Sequence, residues 1–178
     1  GIQEGNGVPA DGDLWVSYSV NKEDMWISRI PVPVEINASA HADDDFSKNK
    51  SIAELTDWNI YSPVWAPVSL EDQWLKLQDK DPFDYAKVER KIPASKELKV
   101  SFDLLAGQND KGTLQIEFLD ENGIACSRME LTDDGIFRLK GGSRFANMMK
   151  YEAGKIYHVE AVLSTVDRNI QVYVDGKR

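Results

Sequence analysis

Short runs in which apolar and polar residues strictly alternate recur through the second half of the chain, and they constrain the fold more than any other feature. In 98–105, Val100, Phe102 and Leu104 alternate with Lys99, Ser101 and Asp103; in 113–119, Leu114, Ile116 and Phe118 take the same phase. The closing pair, 156–163 and 170–174, sets Tyr157, Val159, Ala161 and Leu163 on one face, and Ile170, Val172 and Val174 on one face of the other run. Strand side chains point to opposite faces with a period of two, so each run is a strand with one buried and one wet face. That pattern belongs to antiparallel sandwiches and excludes parallel α/β sheets. Further strands are predicted at 74–78, 85–91, 124–131 and 136–139. Asp120-Glu121-Asn122-Gly123, Asp133-Asp134-Gly135 and Gly141-Gly142 serve as turns. No segment has the apolar spacing of a long helix, and the Ala-rich stretch 38–42 is too short to hold one alone.

The first third reads differently. Residues 13–34 form two β-rich runs around the polar connection Asn21-Lys22-Glu23-Asp24, a hairpin signature, with Pro31 and Pro33 closing the second run. Trp15 and Trp26 are expected to pack across that hairpin. Residues 35–57 lose all periodicity and read as a linker with one helical turn near 51–55. Its Asp43-Asp44-Asp45 run lacks the spaced ligands of a calcium loop, and a solvated linker is expected there. The predicted organisation is thus a hairpin at 1–34, a linker at 35–57 and an all-β, two-sheet jelly-roll sandwich at 58–178.

Composition narrows the function classes. Twenty-one Lys and Arg against thirty Asp and Glu leave a net charge of -9, which disfavours binding to a phosphate backbone. No run of about 18 apolar residues occurs, so no spanning helix is expected, and any export signal is expected to have been removed or to lie upstream. Cys126 is alone and forms no intramolecular disulfide; its small side chain is expected to be buried. One Cys with His41 and His158 far apart predicts no structural metal site, and no cofactor motif occurs.

The segment Asp13-Leu-Trp-Val-Ser-Tyr-Ser-Val-Asn-Lys-Glu-Asp-Met-Trp-Ile-Ser-Arg-Ile-Pro-Val-Pro-Val34 resembles the final propeller strands of sialidase-like, BNR-repeat carbohydrate-active enzymes of Bacteroidetes. Trp74-Leu-Lys-Leu-Gln-Asp-Lys-Asp-Pro-Phe-Asp-Tyr-Ala-Lys-Val-Glu-Arg90 is similar to the opening of the jelly roll that follows such a propeller. The closing run Gly154-Lys-Ile-Tyr-His-Val-Glu through Val172-Tyr-Val-Asp-Gly-Lys177 looks like the end of a concanavalin A-like or laminin-G-like domain. The resemblance implies a C-terminal portion of a glycan-degrading enzyme, secreted, periplasmic or at the cell surface, whose partners are a glycan and an upstream propeller. It carries over no catalytic residue, because no Asp-box and no arginine triad can be located. A jelly roll also has a further strand to come after Asp175-Gly176.

Three readings follow. In the first the domain is non-catalytic and binds glycan or supports a propeller; in the second it is a purely structural partner; in the third it is a self-sufficient glycoside hydrolase or polysaccharide lyase. A glycosidase needs two carboxylates about 5 to 9 Å apart, and Glu117 with Glu160 are the candidates, each on the polar face of a predicted strand. Period two turns His158 and Glu160 away from the core, and places Gln171 and Tyr173 beside them if the two strands pair. A face carrying His158, Glu160, Gln171 and Tyr173 suits sugar hydroxyls, and a His-Glu pair beside a Tyr would suit a lyase. Trp58 and Trp65 flank Tyr61 and Pro63 in what reads as an irregular stretch, fitting a plug between hairpin and sandwich better than a sugar platform. Gly141-Gly142-Ser143-Arg144 has no helix behind it and reads as a turn, not a phosphate loop.

Overall fold

A computed structural model describes residues 13–20, 22, 24–31, 41–120 and 122–178. Expectations that fall on 32–40, including the closing role of Pro33 and the Ala-rich stretch before His41, lie outside the described residues. Among the described residues, apart from a single 3-10 turn, Ile52–Glu54, the regular structure is all antiparallel β. The chain divides into two units, Gly1–Pro93 and Ala94–Arg178.

In the first unit β1 (Asp13–Val20) pairs with β2 (Asp24–Pro31), β3 (Trp58–Tyr61) with β6 (Lys87–Arg90), and β4 (Val68–Glu71) with β5 (Trp74–Leu77). The register of the hairpin overturns one expectation. Trp15 stands opposite Arg29 and Trp26 opposite Tyr18, so the two indoles occupy opposite faces of the ribbon and do not pack across it. The stretch around Trp58 is also not irregular. Trp58 to Tyr61 is strand β3, and Trp58 is half-buried against Phe46 with ring centroids 5.8 Å apart. Pro63, Pro67 and the polar residues around them interrupt the apolar pattern, which is why β3 and β4 are not legible in the sequence.

The second unit is a sandwich. One sheet has the order β11-β10-β9-β8, with β8 Leu114–Leu119, β9 Ala125–Leu131, β10 Ile136–Gly141 and β11 Arg144–Lys150; the other has the order β13-β12-β7, with β7 Glu97–Leu105, β12 Ile156–Ser164 and β13 Asn169–Val174. Their inner faces share one core. Met129, Leu131 and Phe137 of the first sheet meet Tyr157, Val159, Ala161, Val172 and Val174 of the second, with Tyr151 among them. The phase read from the alternation is the observed one, and burial of these apolar side chains is the main force joining the sheets. Both buried tyrosines satisfy their hydroxyls: Tyr151 donates to the Thr132 carbonyl at 2.7 Å and Tyr157 accepts the Glu152 amide at 2.8 Å.

Two further differences come from local irregularity. The strand β11 escapes the sequence reading because Arg138 faces Asn147 while Phe137 faces Met149, a bulge that leaves Met148 extra and breaks the alternation. The turn before it is as expected, a two-residue link with Gly142 at positive φ. Cys126 is exposed, not buried. Ser127, Met129 and Leu131 point inward, so period two sends Cys126 outward, and it is the extra residue where Phe118 faces Ser127 and Leu119 faces Ala125.

Candidate functional site

The outer face of the β7–β12–β13 sheet is built in rows. His158 stands opposite Asp103, Glu160 lies between Ser101 and Tyr173, and Val162 lies between Lys99 and Gln171. Because Tyr157, Val159 and Ala161 are committed to the core, the residues between them are turned to the other face; His158 there is exposed and Glu160 half-buried. The sequence-predicted residues His158, Glu160, Gln171 and Tyr173 therefore share one face. Each has a partner that orients it. His158 Nδ1 lies 2.8 Å from Asp103 Oδ1, Lys99 Nζ is 2.7 Å from Glu160 Oε2, and the Tyr173 hydroxyl donates to Gln171 Oε1 at 2.8 Å. At the end of the same face lies a shallow depression of about 160 Å³, bordered by Glu97, Val162, Ser164, Asp167, Asn169 and Gln171.

Glu117 is elsewhere. It projects from β8 on the outer face of the four-stranded sheet, opposite Arg128, whose Nε and Nη2 donate to its Oε1 at 2.6 and 2.5 Å. That contact raises the Arg128 guanidinium pKa further above its ordinary value. The two carboxylates thus stand on opposite outer faces, with two sheets and a shared core about 10 Å thick between them. They cannot flank one glycosidic bond, which requires about 5 to 9 Å.

Beside Glu117 is a constellation that sequence reasoning missed. Glu130 is only 2 % exposed although it lies on the outer side of its strand. Arg138 donates to its Oε2 through Nε at 2.7 Å and Nη2 at 2.6 Å, Arg128 Nη1 is 3.5 Å from Oε1, and Gln115 Nε2 is 3.4 Å from the same oxygen. The Arg138 guanidinium also lies over the Phe145 ring at 4.2 Å. Glu130 alternates with the inward Met129 and Leu131, and its burial comes from long side chains on neighbouring strands folding over it. Among the described residues no three His, Cys, Asp or Glu side chains gather as a metal would need. No helix among them is long and apolar enough to cross a membrane.

The two packed antiparallel sheets with one wet, hydrogen-bonding outer face define a β-sandwich module. The model of the sialidase-like, CBM domain family matches residues 58–178, and the chain belongs to that family. A solved structure of a Bacteroides sialidase is 91 % identical to the chain, with a TM-score of 0.84 over 100 % of this chain and 16 % of that one. The chain therefore corresponds to about one sixth of that sialidase. No curated protein sequence matches it.

Proposed function

We propose that the domain holds a glycan on the outer face of β7–β12–β13 without cleaving it, as one module of a longer glycan-degrading enzyme of the sialidase type. The observation that carries this reading is the convergence of His158, Glu160, Gln171 and Tyr173 on one exposed face, each fixed by a neighbour. Planar hydrogen-bonding groups already held in one rotamer lose little side-chain entropy when a sugar hydroxyl binds. The separation of Glu117 from Glu160 supports a binding role over a hydrolytic one.

A supporting role for a propeller is favoured by the β1–β2 ribbon. Trp15, Met25, Trp26 and Ile27 are all exposed on it, and an apolar two-stranded ribbon of this kind gains stability when further strands or a neighbouring domain cover it. Because glycans of this class lie outside the cytosol, the expected location is the periplasm or cell surface, and recovery of the native protein only from cytosol would contradict it.

The test is a glycan array followed by calorimetry on the chain and on His158→Ala and Tyr173→Ala. The expected result is binding to at least one glycan that each substitution weakens several-fold, with the stability of His158→Ala, an exposed position, within about 0.5 kcal/mol of the parent. Turnover of a polysaccharide by the chain alone would replace this reading with a catalytic one.

A further inference from the structure

The first unit carries a second concentration of chemistry, around the irregular stretch 78–86, which reads Gln-Asp-Lys-Asp-Pro-Phe-Asp-Tyr-Ala. Four large aromatic side chains border it and none is buried: Tyr61 and Tyr85 are about half exposed, Trp65 is 67 % exposed and Phe83 95 %. Trp65 is therefore no plug. The stretch is held in shape by its own carboxylates, since Asp79, Asp81 and Asp84 accept the backbone amides of Asp81, Phe83 and Tyr85 at 2.8 to 2.9 Å. Two side-chain contacts and one backbone contact then join the aromatic residues to it. The Lys80 amide donates to the Trp65 carbonyl at 2.9 Å, the Tyr61 hydroxyl donates to Asp84 Oδ2 at 2.8 Å, and the Tyr61 and Tyr85 rings lie 5.8 Å apart at an angle of 57°.

Tyr85 and Trp65 leave more than half of their surface in solvent, so their rings add less to the fold than buried rings would. We propose that Tyr61, Tyr85 and Trp65 form an aromatic platform that stacks the apolar C–H face of an uncharged pyranose, with Asp84 at its rim accepting a sugar hydroxyl. This rests on the reading of the domain as glycan-binding, and the family match at 58–178 covers every residue of the platform. A carboxylate offers about four acceptor positions, so Asp84 can take a sugar hydroxyl while keeping Tyr61 and the Tyr85 amide. The carboxylates also argue against a flat protein partner, because they interrupt the apolar surface. They select among sugars as well. Asp79, Asp81 and Asp84 against the single Lys80 make the rim negative, so a sugar bearing its own carboxylate is repelled. The platform therefore takes a neutral sugar and not a sialic acid, giving the module a target that persists after a sialidase has removed the charged terminus.

The experiment is a ¹H–¹⁵N NMR titration of the chain with the methyl glycosides of β-galactose, β-glucose, α-mannose and N-acetyl-β-glucosamine, and with methyl α-sialoside, each to about 50 mM. At least one neutral glycoside should shift the Trp65 indole N–H and the Tyr85 amide, and the sialoside should not bind there more tightly. Tyr85→Ala should weaken the affinity read at Trp65 about fivefold, as loss of one aromatic contact implies. Tyr85→Phe, which keeps the ring and disturbs nothing else, should bind as the parent does. Shifts confined to β12 and β13 would overturn the platform while leaving the sheet-face reading intact. No shift at Trp65 with all four neutral sugars, or unchanged affinity in Tyr85→Ala, would also overturn it.

Discussion

Glu130 shows what a single residue can cost and contribute here. A carboxylate with 2 % exposure loses its hydration, and the loss is offset only because Arg138 contacts it through two nitrogens and Arg128 and Gln115 approach the other oxygen. Removing the acid leaves Arg138 partly covered without its carboxylate, while Arg128 keeps Glu117. Since Arg138 and Arg128 keep about a third of their side-chain surface in solvent, the penalty is below that of a fully buried pair. Glu130→Ala should lower unfolding free energy by about 2 kcal/mol, and Glu117→Ala, which pairs with the more exposed side of Arg128, by under about 1 kcal/mol. Urea denaturation of both variants checks this; equal losses would mean that Glu130 behaves as an ordinary surface acid.

At the scale of elements, the β4–β5 hairpin has a two-residue link. Glu71 faces Trp74, and both central residues, Asp72 and Gln73, sit at positive φ, 50° and 68°. This is the backbone that right-twisted strands favour, and it is usually made with Asn-Gly because a side chain at positive φ clashes with its own carbonyl. Gln73→Gly should therefore raise stability by about 1 kcal/mol, visible as a higher denaturation midpoint with an unchanged slope. A fall in stability would show that the Gln73 side chain makes a contact outweighing the backbone strain. The ribbon β1–β2 teaches a related point, since the sequence gives the two strands readily but not that Trp15 and Trp26 face opposite ways. Facing depends on where the turn sets the register, and a shift of one residue would reverse it.

For the molecule as a whole, pH acts at both ends of the range. The Ser47 amide and hydroxyl hold the Asp45 carboxyl below 3.8, Lys76 and Ser69 hold Glu71 below 4.5, and the Ile124 amide, with that of Asn122, holds Asp120 below 3.8 against some desolvation. A carboxyl lowered in the folded state contributes stability above its unfolded value and loses it as pH falls through the folded one. Two tyrosines act in the opposite sense: the Asp84 hydrogen bond raises Tyr61 above 10.0, and burial, helped by Asp133, Asp134 and Asp110, raises Tyr151. Their contribution is present below 10.0 and is lost as pH rises through the folded values. Between these limits the net charge of -9 relaxes toward zero near pH 4.7, which reduces self-repulsion. The urea midpoint should accordingly stay level from about pH 5 to 9 and fall below about 4 and above about 10. A midpoint that climbs from pH 5 to pH 3 would sink this account.

The alternation of Tyr157, Val159 and Ala161 with His158 and Glu160 by itself determined which side chains enter the core and which stay wet, because strand phase is a property of neighbouring residues. The same local signal marked Val172 and Val174 as inward and Gln171 and Tyr173 as outward. Only the tertiary structure decided that Glu117 and Glu160, alike in sequence context, stand on opposite faces of the sandwich, since sheet membership is set by hydrogen bonds between distant strands. It also decided that Tyr61 and Trp65 meet the stretch around Asp84 and Tyr85, and that Arg138 closes over Glu130. Those contacts join residues that are neighbours only after the chain has paired its strands, and no local periodicity encodes them.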